Sequence, residues 1–187
     1  MKFVDLRRPG PGLPLLSSIV LGIGLAGCAA GTRPESPRAA AQLQPKSASQ
    51  VAGSISFTQE GGTLRVVARV TGLTPNQEHG FHVHEKGDCS SADAMSAGGH
   101  FNPTAQPHGP QTAAHHGGDM PSLKADAMGN VDTRFTIQGV TLAPDAATSL
   151  IGKAVVVHAQ PDDYATQPTG NSGGRVACGV IEAAKPM

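Results

Sequence analysis

The strongest constraint on this chain is a period of two. Residues 50–59, "QVAGSISFTQ", place Val51, Gly53, Ile55 and Phe57 on one face and Ser54, Ser56 and Thr58 on the other. Residues 63–70, "TLRVVARV", alternate in the same way, with Leu64, Val66, Ala68 and Val70 inward and Arg65 and Arg69 outward. Successive side chains of a strand point to opposite faces, so each segment reads as a half-buried strand. The intervening "EGG" supplies glycine for a turn, and the two strands form a hairpin. "AAAQLQ", 39–44, "HGFHVH", 79–84, "NVDTRFTI", 130–137, "KAVVVHA", 153–159, and "RVACGVIEA", 175–183, complete the strand candidates. No segment holds a 3.6-residue period over three turns. With 24 Gly, 15 Pro and no Trp, the expected fold is all-β: an antiparallel sandwich or flattened barrel of about eight strands.

Two stretches resist that pattern. Residues 85–121 and 160–174 are long and rich in Gly, Pro, Ser and His. Loops of that length inside a compact domain are usually functional or disordered. The charge balance, 14 basic against 14 acidic residues, offers no basic stripe for nucleic acid.

The first residues read as targeting rather than fold. Lys2, Arg7 and Arg8 precede a mostly apolar run, 13–25, that ends in "LAGC". This is similar to a bacterial lipoprotein signal, with cleavage before a lipidated Cys28. The expected organisation is a signal peptide over 1–27, a flexible tether over 28–38 and one domain over 39–187. The expected location is the periplasmic face of the cell envelope, lipid-anchored to a membrane through Cys28. Of the three cysteines, Cys89 and Cys178 are then left to pair in an oxidising compartment, closing a loop of about 90 residues.

The histidines are the chemical signal. His82 and His84 share one face of a strand while Phe81 and Val83 enter the core. His100, His108, His115, His116 and Asp119 follow in the first long loop, and His158 ends the valine-rich strand. Imidazoles without thiolate suit Cu(II) or Zn(II), and three His with one Asp make an acceptable closed zinc set.

"GFHVH", "GDCSSADAMSAGGHFNP", "HHGGD", "VVVHAQPDD" and "TGNSGGRVACGVI" together resemble the copper–zinc superoxide dismutases. The resemblance runs from about residue 40 to the C-terminus and implies a Greek-key β-barrel. It implies copper held by His82, His84, His100 and His158, and zinc held by His100, His108, His116 and Asp119, with His100 bridging. It implies dismutation of superoxide to oxygen and hydrogen peroxide by alternating Cu(II) and Cu(I), zinc being structural. Asp162 matches a carboxylate linking a copper histidine to His108, and His79 a residue bracing the loop. Arg175 matches the cation that receives the anion, and Thr169 the other wall of the channel. His115 is expected to face solvent.

Two features bear on the reading. The loop 164–174 carries no charge, where relatives have Lys and Glu, so steering of the anion falls to Lys86, Lys124 or Lys153. A metal-storage module would need neither Arg175 nor an open copper position, and an adhesive β-sandwich with degenerate sites would have lost a ligand; none is missing. The expected assembly is a homodimer or a monomer.

Overall fold

The computed structural model describes residues 36–185. The expected signal over 1–27, Cys28 and most of the tether lie outside the described residues. Among the described residues there are ten strands: β1 Arg38–Pro45, β2 Ala52–Glu60, β3 Thr63–Thr71, β4 Glu78–His79, β5 Phe81–His84, β6 Leu123–Lys124, β7 Val131–Gln138, β8 Ala154–His158, β9 Arg175–Val180 and β10 Glu182–Ala183. One 3₁₀ turn spans Met95–Ala97, and no α-helix occurs among the described residues.

The main sheet is antiparallel in the order β5-β8-β9-β1-β2-β3-β7, with β10 added to β1. The chain crosses from one edge to the other between β3 and β5 and again between β7 and β8, the long connections of a Greek key. The sheet curls until side chains of its two edge strands touch: the Phe81 ring on β5 stands edge-on to Phe135 on β7, with centroids 6.4 Å apart. The alternation predicts the facing. Ile55, Phe57, Leu64, Val66 and Ala68 are fully buried in one cluster with Phe81, Val83, Val155 and Val157. Each large apolar side chain so buried contributes roughly 1.5–3 kcal/mol relative to exposure. The β2–β3 hairpin turns at Gly61, with φ 60°, and its register joins Glu60 to Thr63.

β8 explains its run of valines by burying both faces. Val155 and Val157 enter the main core, while Ala154 and Val156 pack under the disulfide loop with Ala94, Ala97 and Cys178. The Cys89–Cys178 disulfide forms, across a sequence separation of 89.

The strand boundaries depart from expectation in four places. β1 begins at Arg38, inside the range expected as tether. The 79–84 strand divides at Gly80, whose N–H donates to Gln160 O and whose carbonyl accepts from His158 N, both at 2.8 Å. The last strand divides at Ile181, after which Glu182 and Ala183 turn to pair with Ala40 and Ala39. The two-residue β6, paired with β4, is too short to show a period.

The disulfide joins the loop after β5 to β9, so its removal unties the one from the other. Replacing both cysteines by serine is expected to lower unfolding free energy by roughly 2–5 kcal/mol, read from urea denaturation of the wild type and the double variant.

Candidate metal centre

β5 is the free edge of the main sheet, and the long loop covers it. Val83 N donates to Gly118 O, Phe101 N to Val83 O and Gly118 N to Phe101 O, each at 2.8 Å. Isolated bridges set His82 against Asp119 and His84 against His100. The loop therefore folds back as strand-like rungs, carrying its histidines to the face where His82 and His84 point. Gly118 makes this approach possible, because a Cβ there would lie 2.1 Å from Val83 O.

The two expected ligand sets assemble. The donor atoms of His82, His84, His100 and His158 lie within 4.8 Å of one another, as do those of His100, His108, His116 and Asp119, all on buried residues. His100 belongs to both. Its Nδ1 is 2.9 Å from Asp119 Oδ1 and 3.5 Å from His116 Nδ1. Its Nε2 is buried with no hydrogen-bond partner.

Second partners fix which nitrogen of each ring is bare. The Nδ1–H of His84 donates to Gly98 O at 2.9 Å, and that of His158 to Gly173 O at 3.3 Å. Both rings are neutral: burial, with neighbouring histidines and Arg175, lowers their pKa values to about 2 and about 3. Their Nε2 atoms thus present lone pairs to each other at 3.4 Å, an arrangement that a shared cation stabilises. His82 offers Nδ1, also buried without a partner, because its Nε2 is held by Asp162 Oδ2 at 2.6 Å. Burial, moderated by that carboxylate, lowers the His82 pKa to about 4.

On the other side, Asp119 Oδ1 lies 3.0 Å from His108 Nδ1 and 3.4 Å from His116 Nδ1. The His108 contact is close but lacks hydrogen-bond alignment. Four ligands at 2.0–2.1 Å from a tetrahedral ion stand about 3.3 Å apart, and the donor spacings here scatter about that value. Burial would lower the His108 pKa, but the Asp119 and Asp162 carboxylates raise it to about 9. Burial opposes ionisation of Asp119; the His100 and His108 contacts overcome it and hold its carboxyl well below the usual range.

Asp162 joins the two sets, its Oδ1 accepting from His108 Nε2 at 2.9 Å while Oδ2 holds His82. His79 is buried outside both, its Nδ1–H donating to His158 O at 2.8 Å. His115 also stays outside, half-exposed and turned to Ala113 O.

A cavity of about 340 Å³ opens above His84 and His158, and Thr169, Arg175, Asp93 and Met95 line it. Arg175 is half-buried and aimed by two carbonyls of the disulfide loop: Nη1 donates to Ala94 O at 2.7 Å and Nη2 to Gly98 O at 2.6 Å. None of Lys86, Lys124 and Lys153 lines this cavity. The Lys153 ammonium instead donates to Glu85 O and sits over the Phe101 ring.

Some supports had no signature in the sequence. Gln167 brackets His108, its Oε1 accepting from His108 N and its Nε2 donating to His108 O, both at 2.8 Å. Ser47 Oγ donates to Arg175 O at 2.8 Å, and the Lys46 ammonium donates to the carbonyls of Cys89 and Ser91. These contacts span 43 to 128 residues, beyond the reach of local pattern.

Comparison with known proteins agrees with this geometry. The family model for copper/zinc superoxide dismutase matches residues 51–181. Two proteins of Aquifex aeolicus, superoxide dismutase [Cu-Zn] 2 and superoxide dismutase [Cu-Zn] 1, are each 40% identical, over 136 and 134 residues. Those alignments cover 71% and 70% of this chain and 80% and 79% of the relatives. Among solved structures, a double mutant of a SOD-like protein from Bacillus subtilis superposes with a TM-score of 0.67 at 37% identity, covering 75% of this chain and 94% of that one. On its fold, its paired sites and these relatives, the chain belongs to the copper/zinc superoxide dismutase family.

Proposed function

We propose that this protein removes superoxide by dismutation, with copper held by His82, His84, His100 and His158 and zinc by His100, His108, His116 and Asp119. The observation that carries the assignment is the meeting of bare nitrogens: His84 Nε2 and His158 Nε2 face each other, and His82 Nδ1 and His100 Nε2 are buried without partners. When bound, copper supplies a one-electron couple that oxidises one superoxide and reduces the next.

The chain's own residues do the remaining work. The Arg175 guanidinium stays charged at working pH and, fixed by Ala94 and Gly98, receives the anion in the cavity. Thr169 bounds the entry. His100 Nε2 is placed to hold and deliver a proton toward the reduced substrate. Asp162 fixes the orientation of His82 and His108 together, so that the two metal sets are set by one carboxylate.

The sequence order of basic segment, apolar run and "LAGC" supports a further part of this reading. The mature chain begins at a lipidated Cys28 and works at the periplasmic face of the envelope.

Metal analysis and a superoxide-removal assay of the loaded protein test the assignment. His158→Ala is expected to lose copper, retain zinc and lose activity; loss of zinc instead would reverse the two sets. Arg175→Ala is expected to keep both metals while its rate falls roughly ten- to a hundred-fold, the range for losing a charged hydrogen-bonding partner. The metal-free protein has its own pH signature. His82, His84 and His158 are neutral in the fold and take up protons near pH 6.5 when unfolded, so their contribution is lost as pH falls from about 6.5 through about 4 for His82, about 3 for His158 and about 2 for His84. His108 acts oppositely, its contribution being lost as pH rises through about 9. Urea midpoints of the metal-free protein are therefore expected to peak near neutrality and fall most steeply on the acid side.

A further inference from the structure

Of the side chains lining the cavity above His84 and His158, only Arg175 and Asp93 carry formal charge. Asp93 is exposed on the rim, in the disulfide loop. Its Oδ1 accepts from Met95 N at 3.0 Å, which fixes the carboxylate at the first residue of the 3₁₀ turn. That hydrogen bond leads the effects holding its carboxyl below the usual range, so the group is ionised at neutral pH. No ion pair joins Asp93 to Arg175 among the described residues; the two Nη atoms of Arg175 donate to Ala94 and Gly98 carbonyls. Each still feels the other's charge without direct contact, so the exposed carboxylate offsets part of the attraction that the half-buried Arg175 guanidinium holds for an anion.

We infer that Asp93 is a counter-charge on the entrance that slows capture of the anionic substrate. The inference rests on superoxide being that substrate. An anion approaching Arg175 passes a like charge first, and with the loop 164–174 uncharged that wall offers no cation to offset it. A single rim charge acts on association rate and its salt dependence, and a carboxylate that lines the cavity itself repels the bound anion as well. The interaction crosses water, so it is strongest where the Debye length exceeds about 10 Å, below roughly 0.1 M salt.

Two substitutions separate charge from structure. Asp93→Asn keeps an acceptor for Met95 N and removes the charge; Asp93→Glu keeps the charge. In the full chain loaded with copper and zinc, Asp93→Asn is expected to raise the second-order rate with superoxide about two-fold at low ionic strength, the gain closing as salt is added. Asp93→Glu is expected to follow the wild-type rate and salt profile. Azide, titrated through the copper absorption, is expected to bind Asp93→Asn more tightly by a similar factor. An Asp93→Asn protein no faster than wild type, a gain independent of salt, or an Asp93→Glu protein that matches Asp93→Asn would each overturn the inference. If Asp93→Asn fails to hold metal, Asp93→Ser is read by the same criteria. A wild-type protein that binds azide but removes no superoxide would overturn the proposed reaction instead, and the azide comparison would then decide the role of Asp93.

Discussion

Everything at the metal centre depends on the loop after β5 pairing with the open edge of that strand. An edge strand exposes a row of unpaired N–H and C=O groups. Here Val83 satisfies its own with Gly118 and Phe101, and the pairing places His100 beside His84 and Asp119 beside His82. Edge protection and site assembly are thus one set of hydrogen bonds. The disulfide fixes the same segment near its start to β9, and Arg175, at the start of β9, returns the contact by donating to Ala94 and Gly98. The ligands and the anion-receiving cation are held against the same stretch of backbone.

That arrangement carries an energetic tension that metal relieves. A buried polar atom without a partner costs about 1–3 kcal/mol, and His82 Nδ1, His100 Nε2 and His108 Nδ1 are in that condition. The rings cannot turn away, because Asp162 holds the other nitrogens of His82 and His108 and Asp119 that of His100. The polypeptide keeps lone pairs aimed inward instead of letting them satisfy one another. An ion entering such a site finds its ligands already oriented, so less of its binding energy is spent on ordering them.

Much of this was legible in the sequence, for identifiable reasons. Strand parity placed His82 and His84 together and Phe81 and Val83 in the core, because a period of two is local. The valine run identified β8, though not that Ala154 and Val156 would form a second small core beneath the disulfide loop. The breaks at Gly80 and Ile181 were hidden because each arises from hydrogen bonds to distant segments. Gln167, Ser47 and Lys46 carry no motif, and only folding brings them to His108, Arg175 and the Cys89 loop. None of the lysines expected to steer the anion, Lys86, Lys124 and Lys153, lines the cavity. Lys153 proves to be engaged with Glu85 and Phe101, and the charge on the rim is the acidic Asp93.

Gly170 shows how little tolerance the design leaves. It has φ +65°, and a Cβ built on it would fall 1.8 Å from Asp162 Oδ1 and 2.5 Å from His108 Nε2. Every other amino acid brings at least that carbon. A missense change at this one codon would therefore wedge apart the carboxylate and the imidazole and loosen both ion sites at once. Heritable damage to the cofactors can thus begin at a residue that donates no electron pair to either.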